Sequence, residues 1–564
     1  MKKKLLLALA ILLGGIGCAK ADVLANAQYF PDETFLSWVL NHFKKIRGSR
    51  LTDEELASVK SIVTLDNSGL KTNIHSLKGI EYFTELETLS IYNGDEDYVR
   101  NTIEYVDLSK NKKLKAFYFI SGDRAVFHYG NPFYGNTLPL TPCYGYFKPK
   151  APVSHVSSKD AADAVRLKRV NLANLPELRN VDIEGHSLTG LDLRGCPNLR
   201  TVIVHDSKNA VNIKLDTCAN LETFGYSQCE AGVQLPDFAL MPNLKALLCD
   251  DGKITNLDFS SVAKSLEVLS CANNDIQSLD LSKCTKLKSL NCEKLPITSL
   301  DCSQLDSIKY INVSSCTSLQ TFPTLPSCIT TIACDYVKAF AKADLSQYQN
   351  LMYLRAEECG MTSFDGSKHP NLVFLNLTNN NIAAMNLSGL QMDTDDKWYR
   401  VKQRIYVDAI PVPDRSNYWR LILPDDVDLN KINPYNLEPS DQGKKLYVEY
   451  YEDGQGNLKP SLVTNTNVGT DYRYCGIYQY LTGGIGKSVY NGIRHTDEIL
   501  SDVTIYAKIG TSGIDDIAAS KEVKDKDVKY FNLQGHESSE PFSGFNIKVT
   551  HYTDGSSESK KVIK

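Results

Sequence analysis

Leucine and isoleucine recur through the middle of the chain at a spacing much longer than one helical turn or one strand. The segment L-x-x-L-x-[LC] begins at ten positions, 21 to 23 residues apart. These positions, called anchors below, are Leu178, Leu199, Leu221, Leu244, Leu266, Leu287, Ile308, Ile329, Leu351 and Leu372. Ile62, Leu86 and Leu114 extend the series upstream with wider gaps. A period of this length predicts a solenoid, in which each coil buries its apolar face only against its neighbours.

Strand alternation predicts which side chains of each coil reach solvent. Residues five after an anchor point inward, whereas residues four and six after it point outward. The outward positions and those directly following them are rich in acids. The candidate binding residues are Asp182, Glu184, His205, Asp206, Asp250, Asp251, Glu293, Asp335, Glu357 and Glu358. They indicate either a solvated surface or a docking face for a basic partner, because charge of one sign steers encounter.

Cysteine follows the same period. Cys249, Cys271, Cys292 and Cys334 lie five residues after an anchor, and Cys229, Cys316 and Cys359 lie eight after one, in register with Asn274 and Asn380. Cys196 and Cys284 lie eighteen after an anchor. Cysteine in such columns replaces small apolar or turn residues, so buried thiols are predicted. Disulfides between less regular cysteines, such as Cys143 and Cys475, are the alternative. The sequence contains no C-x-x-C pair, so it gives no indication of a zinc site.

The pattern L-x-x-L-x-[LC]-x-x-[NC]-x-[LI] resembles the leucine-rich repeats of Bacteroidetes surface proteins and, more distantly, those of the internalins. The resemblance covers residues 57–390. It implies an α/β-type solenoid with a parallel β-sheet on its concave face, and recognition of another molecule as the usual task. The carboxylates fourteen residues after anchors (Asp192, Asp258, Asp280, Asp301 and Asp365) are expected to cap backbone turns. A calcium ladder is the sharper alternative.

An insertion of 43 residues, at about 121–163, interrupts the repeat after the strand that begins at Leu114. It contains many aromatic residues among Gly and Pro, which argues against both regular structure and disorder. We therefore predict either a ligand-contacting loop or a lid over its own coil, because aromatics with a polar tip are typical interface anchors. The candidate binding residues here are Tyr129, Phe133, Tyr134, Tyr144, Tyr146 and Phe147.

The N-terminus has the three parts of a signal peptide, predicted to span residues 1–21. Removing it takes away four lysines and no acids, so the formal charge changes from −5 to −9, which disfavours nucleic acid as a partner. Acylation of Cys18 is an alternative. Residues 22–56 are predicted to form a helical cap, with Phe35, Trp38, Val39 and Phe43 near one face. No later stretch is long and apolar enough to predict a transmembrane helix.

The repeat stops after Leu390, and β-type runs such as RIYVDAI and KLYVEYY predict a small antiparallel β domain over residues 391–510. A linker at 511–527 leads to a β tail at 528–564, where Asp554-Gly555 predicts a hairpin. This tail resembles the C-terminal sorting domains of the type IX secretion system, in its YFNLQG strand and the run from Pro541 to Ile547. The resemblance implies passage across the outer membrane.

These observations predict a non-catalytic, exported surface protein that binds an extracellular partner protein through the concave face and the aromatic insertion. A glycan-binding surface protein is the alternative. No Gly-x-Ser-x-Gly or His-Glu-x-x-His segment occurs and the ten histidines show no ligand spacing, so neither an enzyme, a cofactor nor a metal is expected.

Overall fold

The structure is a computed structural model. It describes residues 23–63, 74–93, 103–121, 167–184, 188–207, 209–229, 231–386, 390, 398–400, 403–413, 415–425, 427, 429, 446–452, 457–465, 468–480, 488–490, 493–495, 501–510, 525–532, 537–540, 545–552 and 557–563. The predicted signal peptide and the six candidate aromatics of the insertion lie outside this set. The chain divides into two compact units, one ending at Tyr353 and the other beginning at Leu354.

The first unit is built from short strands, one or two to each coil. In chain order they are β1 Val23–Leu24, β2 Arg50–Leu51, β3 Ser61–Val63, β4 Thr88–Asn93, β5 Tyr105–Asp107, β6 Ala116–Ser121, β7 Arg169–Asn171, β8 Asn180–Glu184, β9 Gly190–Asp192, β10 Thr201–Ser207, β11 Asn212–Lys214, β12 Thr223–Cys229, β13 Ala246–Leu248, β14 Val268–Ser270, β15 Ser289–Asn291, β16 Tyr310–Asn312 and β17 Thr331–Ala333.

The strands that follow the anchors pair in parallel in chain order, from β3 and β4 through β6, β8 and β10 to β12–β17. The register joins equal positions of successive coils, such as Leu269 with Leu290 and Leu290 with Ile311. Each of these residues lies three after an anchor and is fully buried. The fold is therefore a leucine-rich repeat solenoid, as predicted. A second parallel sheet, β5-β7-β9-β11, pairs other segments of the early coils.

The register of the first coil differs from the prediction. Ile62 pairs with Leu89, which lies three residues after the anchor Leu86. The anchor of this coil is therefore Val59, which is 2% exposed. Period alone did not distinguish the two because both positions point into the same core.

The cysteines of the repeat lie in the core, which confirms their predicted burial. None of the described cysteines forms a disulfide, and all except Cys328 are buried. Burial raises the pKa of Cys302 to about 12 and that of Cys284 to about 11. These thiols therefore stay protonated and act as small apolar filler between coils.

Six consecutive coils of the first unit leave the sheet through a left-handed residue, a feature that the sequence did not reveal. In the first unit the residues seven after anchors with positive φ are Gln228, Asp251, Asn273, Lys294, Ser315 and Tyr336. Their N–H groups point along the solenoid, so that Asp251 N donates to Ala272 O at 2.9 Å and Lys294 N to Ser314 O at 2.8 Å. The hydrogen bond to the next coil offsets the cost of a conformation that non-glycine residues rarely adopt.

Two short helices precede the repeats, within the residues 22–56 for which the sequence predicts a helical cap. Helix α1 (Glu33–Phe43) starts at Asp32, whose side chain accepts from Phe35 N. The other carboxylate oxygen of Asp32 accepts from His75 N at 2.6 Å. Helix α2 (Asp53–Ser58) begins with a capping box formed by Thr52 and Glu55. Phe35, Leu36, Trp38 and Val39 are buried, whereas Phe43 is only half-buried.

The second unit contains the remaining strands. In chain order, with β18 beginning one residue before the unit boundary, they are β18 Tyr353–Arg355, β19 Phe374–Asn376, β20 Trp398–Arg400, β21 Gln403–Pro411, β22 Trp419–Leu421, β23 Leu446–Glu452, β24 Leu458–Thr464, β25 Arg473–Tyr480, β26 Ser488–Tyr490, β27 Ile493–His495, β28 Ser501–Ile509, β29 Asp525–Asn532, β30 Glu537–Ser538, β31 Phe545–Tyr552 and β32 Ser557–Ile563.

The β domain predicted after the repeats is present as a six-stranded sheet of order β23-β24-β22-β21-β28-β25. Its pairs are antiparallel except for β21 with β28, which is parallel. Ile405, Val407, Leu462 and Ile505 belong to its buried core. The tail forms an antiparallel sheet, β30-β29-β31-β32, in which β31 pairs with β32 and His551 lies opposite Ser557. The predicted turn residues Asp554 and Gly555 lie outside the described residues. No helix among the described residues is long and apolar enough to cross a membrane.

Candidate functional site

The outward side chains of β13 to β17 and of the turns that follow these strands form a connected set, which we call the polar track. Its members are Asp250, Ser270, Asn291, Glu293, Asn312, Ser314 and Asp335. They occupy positions four and six after the anchors of consecutive coils. Because parallel pairing stacks equal positions about 4.8 Å apart, these side chains can form hydrogen bonds from coil to coil.

The track starts at a buried carboxylate. Asp250 accepts from Ser270 Oγ at 2.7 and 2.8 Å and from Ala272 N at 2.6 Å. Only 4% of the residue is exposed. Asn291 Nδ2 then donates to Ser270 Oγ at 3.0 Å, which connects the next coil.

The track continues through Glu293 to Asp335. Asn291 Oδ1 accepts from Glu293 N at 3.3 Å, and Asn312 Nδ2 donates to Glu293 Oε2 at 3.1 Å. Asn312 Oδ1 accepts from Ser314 N at 3.0 Å, and Ser314 Oγ accepts from Asp335 N at 3.2 Å. The bonds hold the track side chains from Asp250 to Ser314, so little of their side-chain entropy remains to be lost when a ligand binds.

The acidic side chains of the track differ in their exposure to solvent. Asp250 and Asp335 are buried, whereas the side chain of Glu293 is 34% exposed, with Lys294 Nζ 3.9 Å from its Oε1. Asp251, at the left-handed position beside the track, is half-buried and accepts from Asn273 Nδ2. Glu293 and Asp251 are therefore the carboxylates that a partner could reach here.

Burial raises the pKa of Asp250 to about 7, and the nearby Asp251 and Glu293 also raise it, while the bonds from Ser270 and Ala272 oppose the shift. An aspartate in an unfolded chain titrates near 3.9. Protonation of Asp250 therefore favours the folded state. This contribution is fully present below the unfolded value and is lost as the pH rises through about 7.

We accordingly expect Asp250→Asn to stabilise the protein at pH 8 by up to about 4 kcal/mol, since the shift is about three pKa units and one unit corresponds to about 1.4 kcal/mol. The gain should shrink toward pH 4, where wild-type Asp250 is already neutral. Urea unfolding of both proteins at the two pH values measures this difference. An equal stability difference at pH 4 and pH 8 would contradict the assignment.

The other predicted acids of the sheet face divide into three groups. Asp182 is 8% exposed, so the structure buries it. Glu184 and His205 are register partners on β8 and β10, and Asp206 follows on β10, but the side chains of all three lie outside the described set. His205 pairs with Ser227, so β12 separates it from the coil of Asp250.

Glu357 and Glu358 belong to the second unit. Glu357 accepts from Asn376 Nδ2 and from Asn379 Nδ2, both at 3.3 Å. Glu358 lies at the left-handed position of its coil, with φ 54°. Both residues are half-buried. In both places an asparagine of the next coil donates its side-chain amide to a glutamate: Asn376 to Glu357 here, and Asn312 to Glu293 in the track.

Sequence reasoning missed the uncharged members of the track: Ser270, Asn291, Asn312 and Ser314. They stand in the same outward columns as the acids, so the spacing that located Glu293 also contains them. Selection by charge excluded them, although hydroxyls and amides are the groups that connect neighbouring coils here.

The carboxylates fourteen residues after anchors cap turns, as predicted. Asp258, Asp280 and Asp301 each accept from the N–H two residues further on, at 2.9 to 3.0 Å. These bonds, with the side-chain bonds to the same serines, hold the pKa of each carboxyl below its usual value. Within the described ranges no group of three or more His, Cys, Asp or Glu residues could hold a metal ion, so the calcium ladder gains no support.

Comparisons with known proteins return leucine-rich repeat structures. The functional domain of InlJ from Listeria monocytogenes, which includes a cysteine ladder, is 19% identical, with a TM-score of 0.44 over 86% of this chain and 98% of that one. The internalin InlF from the same organism is 16% identical, with a TM-score of 0.40 over 66% and 97%. YopM from Yersinia enterocolitica is 16% identical, with a TM-score of 0.33 over 68% and 88%. No protein-family profile and no curated protein matches the chain.

Proposed function

We propose that the protein is a non-catalytic, exported surface protein that binds an extracellular partner protein through the sheet face of the solenoid. The observation that carries the proposal is the polar track. Its side chains in four successive coils are held by hydrogen bonds, and Ser314 connects them to the backbone N–H of Asp335 in a fifth coil. A rigid scaffold with ordered polar side chains favours specific recognition because less freedom is lost on binding.

The size of the face suits a macromolecular partner. In the first unit, eleven of the strands from β3 to β17 pair in the large parallel sheet. At about 4.8 Å between neighbouring strands, they make an array about 50 Å long. A standard protein interface needs about 800 Å² on each partner. The face therefore offers more area than a small ligand requires.

The partner is expected to present lysine or arginine to Glu293 and Asp251. An accessible carboxylate on a hydrogen-bonded surface is a suitable counterpart for a basic side chain, which would compete with Lys294, 3.9 Å away, for Glu293. The aromatic insertion, with Tyr134 and Tyr146 among its residues, is the second proposed contact. Glycan binding remains the alternative, since aromatic side chains with polar tips also suit sugars.

The test is capture of extracellular proteins from a host or bacterial neighbour by the mature chain, with the affinity for each captured protein measured afterwards. We expect Glu293→Lys to weaken binding tenfold or more, because it places like charges together. Glu293→Gln keeps the shape and the bond to Asn312 but removes the charge, so it should weaken binding less and reduce its dependence on salt.

Asp306→Lys is the matched control, because it reverses an exposed acid in the turn before β16, away from the track. It should leave binding unchanged. Equal losses for Asp306→Lys and Glu293→Lys would show only a general effect of net charge. Unchanged binding by Glu293→Lys, with loss on joint Tyr134→Ala and Tyr146→Ala substitution, would move the contact to the insertion.

A further inference from the structure

We propose that the six-stranded sheet of the second unit carries a carbohydrate-binding face, separate from the polar track. Its centre is the tyrosine row, which consists of Tyr406, Tyr472, Tyr474 and Tyr506. The row was not among the residues that sequence reasoning selected, because its members come from distant segments.

Strand register brings the row together. Tyr406 on β21 pairs with Tyr506 on β28, and Tyr506 pairs with Tyr474 on β25. Their chain neighbours Ile405, Val407, Ile505, Ala507 and Cys475 all belong to the buried core. Alternation therefore places the three tyrosines at one level of the opposite face.

The rings form a continuous series. Tyr472, just before β25, lies with its ring centroid 5.2 Å from that of Tyr406. The centroids of Tyr406 and Tyr506 are 5.3 Å apart, and those of Tyr506 and Tyr474 are 6.1 Å apart. Tyr406 is 51% exposed and Tyr472 is 43% exposed. The outer part of the row is thus available to a ligand.

Hydrogen-bonding side chains border the row on both sides. Two residues before Tyr406 and Tyr506, Arg404 pairs with Thr504; two residues after them, Asp408 pairs with Lys508. Arg404 is exposed, and the other three are half-buried. Lys508 Nζ also lies 4.8 Å from the centroid of the Tyr472 ring.

This arrangement fits a carbohydrate better than an apolar protein surface. A pyranose ring has an apolar C–H face surrounded by hydroxyls, so it needs aromatic surface flanked by donors and acceptors. The row supplies the first, and Arg404, Thr504, Asp408 and Lys508 supply the second. Three of these eight positions, Arg404, Asp408 and Lys508, hold charged side chains, whereas the core of a protein interface is depleted of charge. The sugar ring would lie against the exposed parts of Tyr406 and Tyr472, whose rings meet edge to face.

The experiment uses the full mature chain on an array of neutral and acidic oligosaccharides, followed by calorimetric titration of the oligosaccharide retained most strongly. Tyr406→Ala and Tyr472→Ala should each weaken binding tenfold or more, a loss of about 1.4 kcal/mol or more. Tyr406→Phe keeps the aromatic ring, so its affinity should stay within about threefold of the wild type. Tyr450→Ala is the matched control, since Tyr450 is 63% exposed but lies on β23, outside the row. Two alanine variants are used so that one remains informative if the other unfolds.

Retention of an oligosaccharide that is lost in Tyr406→Ala or Tyr472→Ala, but kept in Tyr450→Ala, supports the proposal. It is overturned if no oligosaccharide is retained, or if the tyrosine variants bind as the wild type does. Binding of a decaproline peptide through the row, in place of sugar, would also overturn it, because aromatic grooves recognise proline-rich segments as well. Each outcome is independent of whether Glu293 contacts a partner protein.

Discussion

Asn274→Ala is expected to lower the free energy of unfolding by about 3 kcal/mol or more. Asn274 lies eight residues after its anchor and is 5% exposed. Its Oδ1 accepts from Gly252 N at 2.9 Å and from Ile254 N at 3.0 Å. Its Nδ2 donates to Cys249 O at 2.8 Å, Cys271 O at 2.9 Å and Ala272 O at 3.1 Å. One side chain thus satisfies the backbone of two coils where they leave the sheet.

The cost of losing Asn274 is large because alanine leaves buried backbone groups without partners. Each buried donor or acceptor left unsatisfied costs about 1–3 kcal/mol, more than the net gain from a typical hydrogen bond. Urea unfolding measured by circular dichroism gives the change. Amide hydrogen exchange should show the loss concentrated in β13 and β14, since repeat proteins lose stability between neighbouring coils.

Two comparisons separate this explanation from a general effect of mutation. Asn243→Ala removes one exposed bond, to Ala219 O at 2.9 Å, and should cost less than about 1 kcal/mol. Asn274→Cys should be tolerated better than Asn274→Ala, because Cys316 occupies the same column and donates to Cys292 O at 3.0 Å. An alanine variant as stable as the wild type would disprove the bridging role.

Phe35→Ala should destabilise the N-terminal end of the solenoid by about 3–5 kcal/mol. Phe35 is fully buried. Its ring packs against Phe30 with centroids 5.8 Å apart, Trp38 at 5.9 Å and Phe83 at 6.3 Å. Because Phe83 precedes the anchor Leu86, the cavity would open between the cap helix and the first coils.

Phe43→Ala is the matched control, on the same helix and of the same residue type. Phe43 is only half-buried, so its loss should cost about 1 kcal/mol, the typical value for a point substitution. Thermal and urea unfolding give the totals, and hydrogen exchange should place the Phe35→Ala effect in β3 and β4. Equal costs for both variants would show that α1 does not act as a cap through its buried face.

Much of the solenoid could be predicted because each coil repeats the same burial problem. Leu269, Leu290 and Ile311 fill one column of the core, and a column of that kind is visible as a period. Cys271 and Cys292 were placed in the core by the same argument. The Asp258 and Asp280 caps were predictable because their bonds are local, two residues along the chain.

The candidate site was less predictable because its contacts are not local. Charge alone selected Asp250 and Asp335 as docking residues, but the structure buries both. Their partners Ser270 and Ser314 lie 20 and 21 residues away in sequence. An outward side chain turns toward a neighbouring coil only if that coil offers it a hydrogen-bond partner. The repeat pattern contains no information about such pairs.

The sequence by itself determined the coil length, the inward columns, the buried thiols and the cap helix, because hydrophobic period and local capping decide these. Only the tertiary structure decided that Val59 anchors the first coil, that β21 and β28 pair in parallel, and which polar side chains join into the track. It also decided the tyrosine row, whose members lie up to 100 residues apart, as Tyr406 and Tyr506 do. The physical reason is that burial leaves a periodic trace in the chain, whereas strand register and hydrogen bonds between coils depend on residues that meet only after folding.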